Sequence, residues 1–557
     1  MVSVLGPWLL ALAAVALVAG AVRVRSRVPF VAGAAVALCG ATALLGWALV
    51  TDDYTLRYVA DTARRDASPA LRLAGLWGAM AGSLLLWAAA TATWAAVAER
   101  IDPRTRRVGA FATLAPVVAL LTVSRPFERL DLPPLDGEGL APILEHWAML
   151  IHPPLLYAGL TGLVVPAALA LTGAGAGAVR RWTLAALLPL TAGIALGARW
   201  AYVELGWGGF WAWDPIENGA LLPWLAALGA VHERRAPPRA ARLAVAAFFF
   251  AGVGTWLTRS GATVSVHAFA EARAVGWILL AALAIGLLVL GAKSAIYGTF
   301  RAQNQPRMSA ATAVALASLV VVAVGTLVPA TLGMALDRPR TIDPSFFTRF
   351  AAPPLAALAV LAAVAGFRRA PGLGAHAGAA LVLAGAIGTG LGADASVVLE
   401  PGESASVGGH RITVERIAVD GRQITSAITI DGDAAQVSLR TSGSRRVVTP
   451  ETALTSAPLE DVLVAPRILE ADPPRAVLDV HVEPLASLVW TGAALAVFGF
   501  AAALFSRRRA SVRAGGRRSS WPRVRPPRRA RPEHPPARQE QPQQEPSPAP
   551  AGERAPR

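Results

Sequence analysis

Cysteine is almost absent from this chain. Its 557 residues include one, Cys39, which excludes any intramolecular disulfide. Charge is scarce as well, at 16% of residues against 54% hydrophobic, and the mean hydropathy is +0.48. Those values exclude an ordinary soluble protein. Acidic residues are the scarcer sign, 36 against 52 Lys and Arg, for a net charge of +16. The excess sits in short loops and in the C-terminal tail, so it reads as a topology signal and gives no case for a nucleic-acid partner. There is no internal repeat.

What the chain has is apolar length. Thirteen hydrophobic runs lie near 4–22, 29–50, 73–97, 108–124, 148–172, 181–199, 218–232, 242–257, 273–292, 308–330, 351–366, 372–391 and 484–505. Most are long enough to cross a hydrocarbon core of about 30 Å; the seventh and eleventh are short. The first run has no basic leader and is followed by Arg23 and Arg25, which argues against a cleaved signal peptide. The expected fold is an all-α polytopic membrane protein of about thirteen transmembrane helices.

Alternate connections are rich in arginine: 23–27, 104–107, 180–181, 234–242, 293–307, 368–369 and 507–518. The positive-inside rule makes these cytoplasmic, with the N-terminus outside and the C-terminus inside. The longer loops, 51–72, 125–147, 200–217, 258–272, 331–350 and 392–483, then share the outer face of a bacterial cytoplasmic (inner) membrane. Segment 392–483 contains alternating stretches at 411–417 and 424–430, with Asp420-Gly421 as a turn between them, and shorter ones at 436–439 and 476–482. This predicts a small β-rich soluble domain. The expected organisation is a core over 1–391, the β domain over 392–483, a last helix over 484–505 and a disordered, basic, Pro-rich tail over 506–557. The start of that tail is basic enough to meet anionic lipid.

One outer loop stands apart. WAYVELGWGGFWAWDPIENGALLPW, from Trp200 to Trp224, holds five of the 16 tryptophans, with Glu204, Asp214 and Glu217 among them. An aromatic belt spreads tryptophan thinly over many helices. Here the rings are concentrated beside Gly206, Gly208 and Gly209, which allow close backbone approach, as a platform for a large flat ligand requires. Asp214-Pro215 and Glu217-Asn218 supply caps for the following helix. Histidines flank the loop on the same face, with His152 before it and His267 after it. Two neutral imidazoles beside an aromatic platform suit the axial positions of a heme iron. His232 and His376 form a second pair toward the arginine-rich side, where an ionisable residue within the membrane is a functional candidate. Any of the four also fits a buried structural role. His146, His410, His481 and His534 show no comparable pairing and read as structural or solvent-exposed.

The segment WGGFWAWDPIENGALLPWL (Trp207–Leu225) resembles the tryptophan-rich signature of the WWD heme-handling superfamily. Within it, the chain is similar to the CcmF family, the cytochrome c heme lyase subunits of bacterial cytochrome c maturation. The motifs GSLLLW (Gly82–Trp87), RPF (Arg125–Phe127), PPLDGEGLAPIL (Pro133–Leu144), IHPPLLY (Ile151–Tyr157), RSGATVSVHAFA (Arg259–Ala270), GTLVP (Gly325–Pro329), PSFFTRFAAPPL (Pro344–Leu355) and EPGESASVGG (Glu400–Gly409) follow in that family's order. The resemblance covers about residues 5–505 and leaves out the tail. It implies a platform of Trp207, Gly208, Gly209, Trp211, Trp213, Asp214, Glu217 and Trp224. It implies His152 and His267 as ligands of an incoming heme, and His232 and His376 as ligands of a transmembrane b-type heme. Phe210, Ala212, Gly219 and Leu222 depart from the family's common residues, as does the neighbourhood of His376.

The implied activity is that of a holocytochrome c synthase, joining heme vinyl groups to the CXXCH thiols of an apocytochrome c with the inner heme as a redox relay. The implied partners are the apocytochrome, a heme chaperone, thioredoxin-like and apocytochrome-binding maturation subunits, membrane lipid and a quinol. No residue is assigned as a general acid or base. Two alternatives stay open at this point. A heme export or delivery subunit would need the platform and the external histidines alone, and a quinol oxidoreductase would need the inner pair alone.

Overall fold

A computed structural model describes residues 1–22, 28–265, 273–297, 306–366, 373–421, 423–441, 448–505 and 547. The helices are α1 (Val2–Val22), α2 (Phe30–Val50), α3 (Arg57–Thr62), α4 (Pro69–Gly78), α5 (Met80–Ile101), α6 (Arg106–Ala119), α7 (Ala148–Gly162), α8 (Val164–Leu171) and α9 (Ala176–Glu204). They continue as α10 (Pro215–His232), α11 (Pro237–Arg259), α12 (Arg273–Tyr297), α13 (Ala310–Ala335), α14 (Pro344–Phe350), α15 (Ala352–Gly366), α16 (Leu373–Thr389) and α17 (Ala486–Phe505). Ten described helices are long and apolar enough to span a membrane, and up to eleven when the bent pair α14–α15 counts as one. Each of the thirteen runs meets a helix, but two helices fall short as independent spans. α10 opens on Pro215, Glu217 and Asn218, which dilute its apolar length, and α16 has 17 residues.

Proline shapes the site-bearing helices. α7 and α8 form one span of 24 residues, broken where Pro166 has no N–H to offer the carbonyl of Gly162. Inside α7, Pro153 likewise leaves the Met149 carbonyl unpaired, and Trp77 Nε1 of α4 donates to it at 2.8 Å. Without a hydrophobic force between helices in lipid, close packing relies on small residues. Gly378 and Gly374 of α16 therefore meet Gly492 and Gly499 of α17 backbone to backbone. Gly219 of α10 lies against Gly254 of α11, where an added Cβ would stand 3.2 Å from the Gly254 Cα. α10 packs against α9, α11 and α13.

The β strands are β1 (Ala393–Leu399), β2 (Ser404–Val407), β3 (His410–Asp420), β4 (Gln423–Ile430), β5 (Asp433–Thr441), β6 (Val448–Glu451), β7 (Ala453–Ser456), β8 (Glu460–Ala471) and β9 (Pro474–Pro484). They form two antiparallel sheets, ordered β1-β9-β8-β7 and β2-β3-β4-β5-β6. Strand alternation points Ala476, Leu478, Val480 and Val482 of β9 inward, to a core shared with Ile412, Val414, Ile428, Ile430 and Val437 of the other sheet. β8 breaks the alternation, since Asp461 to Pro466 are all buried. Its second face is covered by the segment after α9. The β domain and the helices belong to one compact unit over 1–517.

Candidate functional site

The Trp-rich loop joins α9 to α10, and its far end is locked by a capping box. Asp214 accepts from the Ile216 amide at 2.7 Å, and Glu217 Oε2 accepts from the Asp214 amide at 3.1 Å and the Ala212 amide at 3.0 Å. The two acids thus hold backbone donors at the start of a helix. Asp214 Oδ1 also accepts from Ser265 Oγ at 2.8 Å, tying in the loop that follows α11. Trp213 lies between these anchors at φ +57°, a left-handed conformation costing a bulky residue about 1–2 kcal/mol. Its carbonyl accepts from Asn218 Nδ2 at 3.1 Å. Its ring stacks on Phe347 of α14, with centroids 5.5 Å apart, and meets Trp211 edge-on at 6.2 Å. Such strain, held by surrounding contacts, is found at ligand-handling sites.

The near end of the loop is held by the β domain. Tyr202 donates to Asp461 of β8 at 3.1 Å, and Thr452 Oγ1 donates to the Val203 carbonyl. Gly206, at φ +66°, rests on Ala465. Gly208, at φ +67°, rests on the His481 ring, which is fixed by Asp394 at 2.7 Å. Gly209 fits under the Trp207 ring. Phe210 packs edge-on against Trp490 of α17 at 6.2 Å. Trp224 is separate from this assembly. It lies about 15 Å along α10 from the cap, where its Nε1 donates to Thr191 of α9 at 3.0 Å.

His152 sits on α7 in a groove of α9, against Gly197. Its Nδ1 is 2.8 Å from the Gly193 carbonyl; a donor there leaves the ring's lone pair on Nε2. Its edge faces Trp200 at 5.8 Å, and His146 stacks on the same indole at 6.0 Å. His146 accepts the Ala148 amide at 3.2 Å, and burial, with the Arg199 charge nearby, holds its imidazole below the ordinary histidine range. His267 lies outside the described residues.

His232 and His376 come together from α10 and α16. Their ring centroids are 6.3 Å apart, with planes 28° from parallel. Two metal–imidazole bonds of about 2 Å, with each ring centre about 1.1 Å behind its nitrogen, span about 6.2 Å. His232 Nδ1 lies 2.8 Å from the Leu228 carbonyl, which orients Nε2 as the lone-pair nitrogen. His376 Nδ1 is buried with no hydrogen-bond partner. Among the described residues no group of three or more His, Cys, Asp or Glu side chains could hold a metal ion. Two imidazoles at this spacing suit a metal that brings its own macrocycle.

Several contributors carry no motif of their own. Trp490 and Asp461 reach the loop from distant segments, with 259 positions between Asp461 and Tyr202, while Phe347 comes from within the Pro344–Leu355 motif. His146 and His481, expected to be structural or solvent-exposed, both lie at the loop.

Comparison with known proteins follows this geometry. The family described as cytochrome C assembly protein matches residues 77–264. The chain is 37% identical over 352 residues to the cytochrome c-type biogenesis protein ccl1 of Rhodobacter capsulatus, covering 58% of this chain and 54% of that protein. It is 35% identical over 414 residues to the probable cytochrome c-type biogenesis protein NrfE of Escherichia coli, covering 67% of this chain and 74% of that one. The chain thus spans about half the length of the first relative and three quarters of the second. A solved structure of the cytochrome c heme lyase CcmF shares the fold, with a TM-score of 0.66 at 22% identity, over 90% of this chain and 97% of that one. The chain belongs to the CcmF/NrfE family of cytochrome c-type biogenesis proteins.

Proposed function

We propose that this protein promotes covalent attachment of heme to the CXXCH thiols of an apocytochrome c, with heme as a substrate held at the Trp-rich loop. The observation that carries this reading is that one helix serves two heme-compatible sites. α10 begins at the capped Trp loop and ends at His232, which faces His376. Trp207, Gly208, Gly209, Trp211 and Trp213 form the stacking surface, while Asp214 and Glu217 hold its shape. His152 ligates the substrate iron, and family resemblance assigns His267 to the same role. Each cysteine S–H adds across one vinyl C=C, the sulfur bonding to the carbon next to the ring and the hydrogen to the terminal carbon. No electrons are consumed and no group leaves. Fixing porphyrin and peptide together makes the addition effectively intramolecular; none of these residues is required as an acid or base.

Held between His232 and His376, a b-type heme would supply one-electron redox chemistry within the membrane, drawing on a membrane quinol. The Leu228 carbonyl keeps the His232 ring in its ligating orientation. The arginine-rich loops support an outer-face location for the Trp loop and β domain at the cytoplasmic membrane, where a heme chaperone, thioredoxin-like subunits and the apocytochrome would meet them. The test is maturation of a CXXCH reporter with His152, His267, His232 and His376 each replaced by Ala. All four are expected to lose thioether formation, and His232→Ala and His376→Ala also to lose bis-histidine b-heme absorption. Thioether formation retained in all four overturns the reading.

A further inference from the structure

Arg199 lies on α9, one residue before Trp200 and within the membrane-spanning helix. A guanidinium nitrogen shut off from water near the end of such a helix is costly unless a specific partner meets it. Its contacts among the described residues are with aromatic rings: the guanidinium lies 5.3 Å over Tyr202 and 5.2 Å over Trp490. Its Nη1 is buried with no hydrogen-bond partner, and Trp490 Nε1 shares that condition. Tyr202, which lies under the guanidinium, donates to Asp461 at 3.1 Å, and no hydrogen bond or ion pair joins Arg199 to a carboxylate among the described residues. Two buried N–H donors left without an acceptor cost about 1–3 kcal/mol each, so a native structure that keeps them calls for a reason. Both belong to one aromatic stack that continues into the Trp loop, because Phe210 packs on the same Trp490 ring. The missing partner is therefore an acceptor, anionic by preference, at the loop's membrane-side edge. A planar guanidinium fork fits a carboxylate through two parallel hydrogen bonds.

We propose that Arg199, braced by Tyr202 and Trp490, grips a propionate carboxylate of the porphyrin held at the Trp-rich loop. This rests on the platform reading above and adds an orientation to it. The propionates of heme lie on the ring edge opposite the vinyls, so anchoring one at Arg199 turns the vinyl edge away from α9 and toward the incoming thiols. A phospholipid phosphate has the same hydrogen-bonding chemistry, and the test separates the two.

The full-length protein in phosphatidylcholine nanodiscs is titrated with zinc protoporphyrin IX and with its dimethyl ester, followed by tryptophan fluorescence quenching. The unaltered protein is expected to prefer the free acid by about tenfold, the scale of one charge-assisted hydrogen-bonded contact. Arg199→Gln is expected to abolish that preference at an unchanged unfolding midpoint, and Arg199→Lys to keep part of it. Equal affinities in the unaltered protein overturn the proposal even if the Gln variant fails to fold. A tenfold preference kept in Arg199→Gln also overturns it. Equal affinities in the nanodiscs with a preference gained in phospholipid-free detergent micelles assign Arg199 to lipid phosphate and overturn it too. Binding of neither porphyrin by the unaltered protein defeats the platform reading itself, and this assignment with it.

Discussion

At the scale of single residues, the Trp loop is shaped by positions that tolerate little change. Gly208 combines φ +67° with a ring pressed against the place a Cβ would occupy. Gly208→Ala is expected to weaken zinc protoporphyrin binding by about tenfold, from about 1–2 kcal/mol of left-handed strain and displacement of His481. Gly402 serves as the control in the same titration, with φ +91° and open space around it. Gly402→Ala carries similar backbone strain without a neighbour to displace, and binding should be unchanged. The sequence singled out Gly208 as a point of close backbone approach, but what approaches it is His481, from the other end of the chain. Asp214 and Glu217 were legible as caps because the capping-box spacing is local. Arg199 was not legible, because one arginine at the end of an apolar run looks like any interfacial charge until its neighbours are known.

At the scale of elements, β8 shows why the domain was only half readable. Strands β3, β4 and β9 alternate, since one face meets the core and the other meets solvent, and their segments announce themselves. β8 is buried on both faces over 461–466, so its pattern reads as a continuous apolar run carrying Pro466. That burial brings Asp461 directly opposite Glu483 in the ladder, with exposures of 2% and 4%. Like charges cannot share such a position cheaply. Burial first, then the Asp394 and Asp461 charges, pushes the Glu483 carboxyl up to about 7. A carboxyl raised in the folded state holds a proton that the unfolded chain releases above about pH 4.5. Stability is therefore expected to fall as pH rises from about 4.5 through about 7 and to level off beyond. Glu483→Gln removes that dependence, so thermal unfolding should show a larger gain over the unaltered protein at pH 8 than at pH 5. Equal gains at the two values would falsify the assignment. His410 acts in the same direction: its hydrogen bond to Asp431 raises its pKa, so its contribution is present below the ordinary histidine range and is lost as pH rises through that raised value.

At the scale of the whole molecule, the proposed orientation rests on loop charge alone and is open to a direct check. Alkaline phosphatase inserted at Gly421, in the tight turn between β3 and β4, is expected to be active. Green fluorescent protein fused after Arg557 is expected to fluoresce. The reverse pattern would invert the topology. Hydropathy and arginine asymmetry can be read without a structure, because the transfer free energy of a segment is a sum over its own residues and each loop contributes its own charge. The sequence by itself therefore determined a multi-spanning membrane protein and the existence of a β domain, and it singled out the Trp-rich loop and the two histidine pairs as candidates. Only the tertiary structure decided which side chains meet. His232 faces His376 because α10 and α16 are brought together through the bundle, with α16 seated against α17 where glycines let backbones touch. The Trp loop is clamped by β8, β9 and α17 because those segments fold back over it. Such contacts depend on how packed helices and strands cross in space, a non-local property that no single stretch of residues contains.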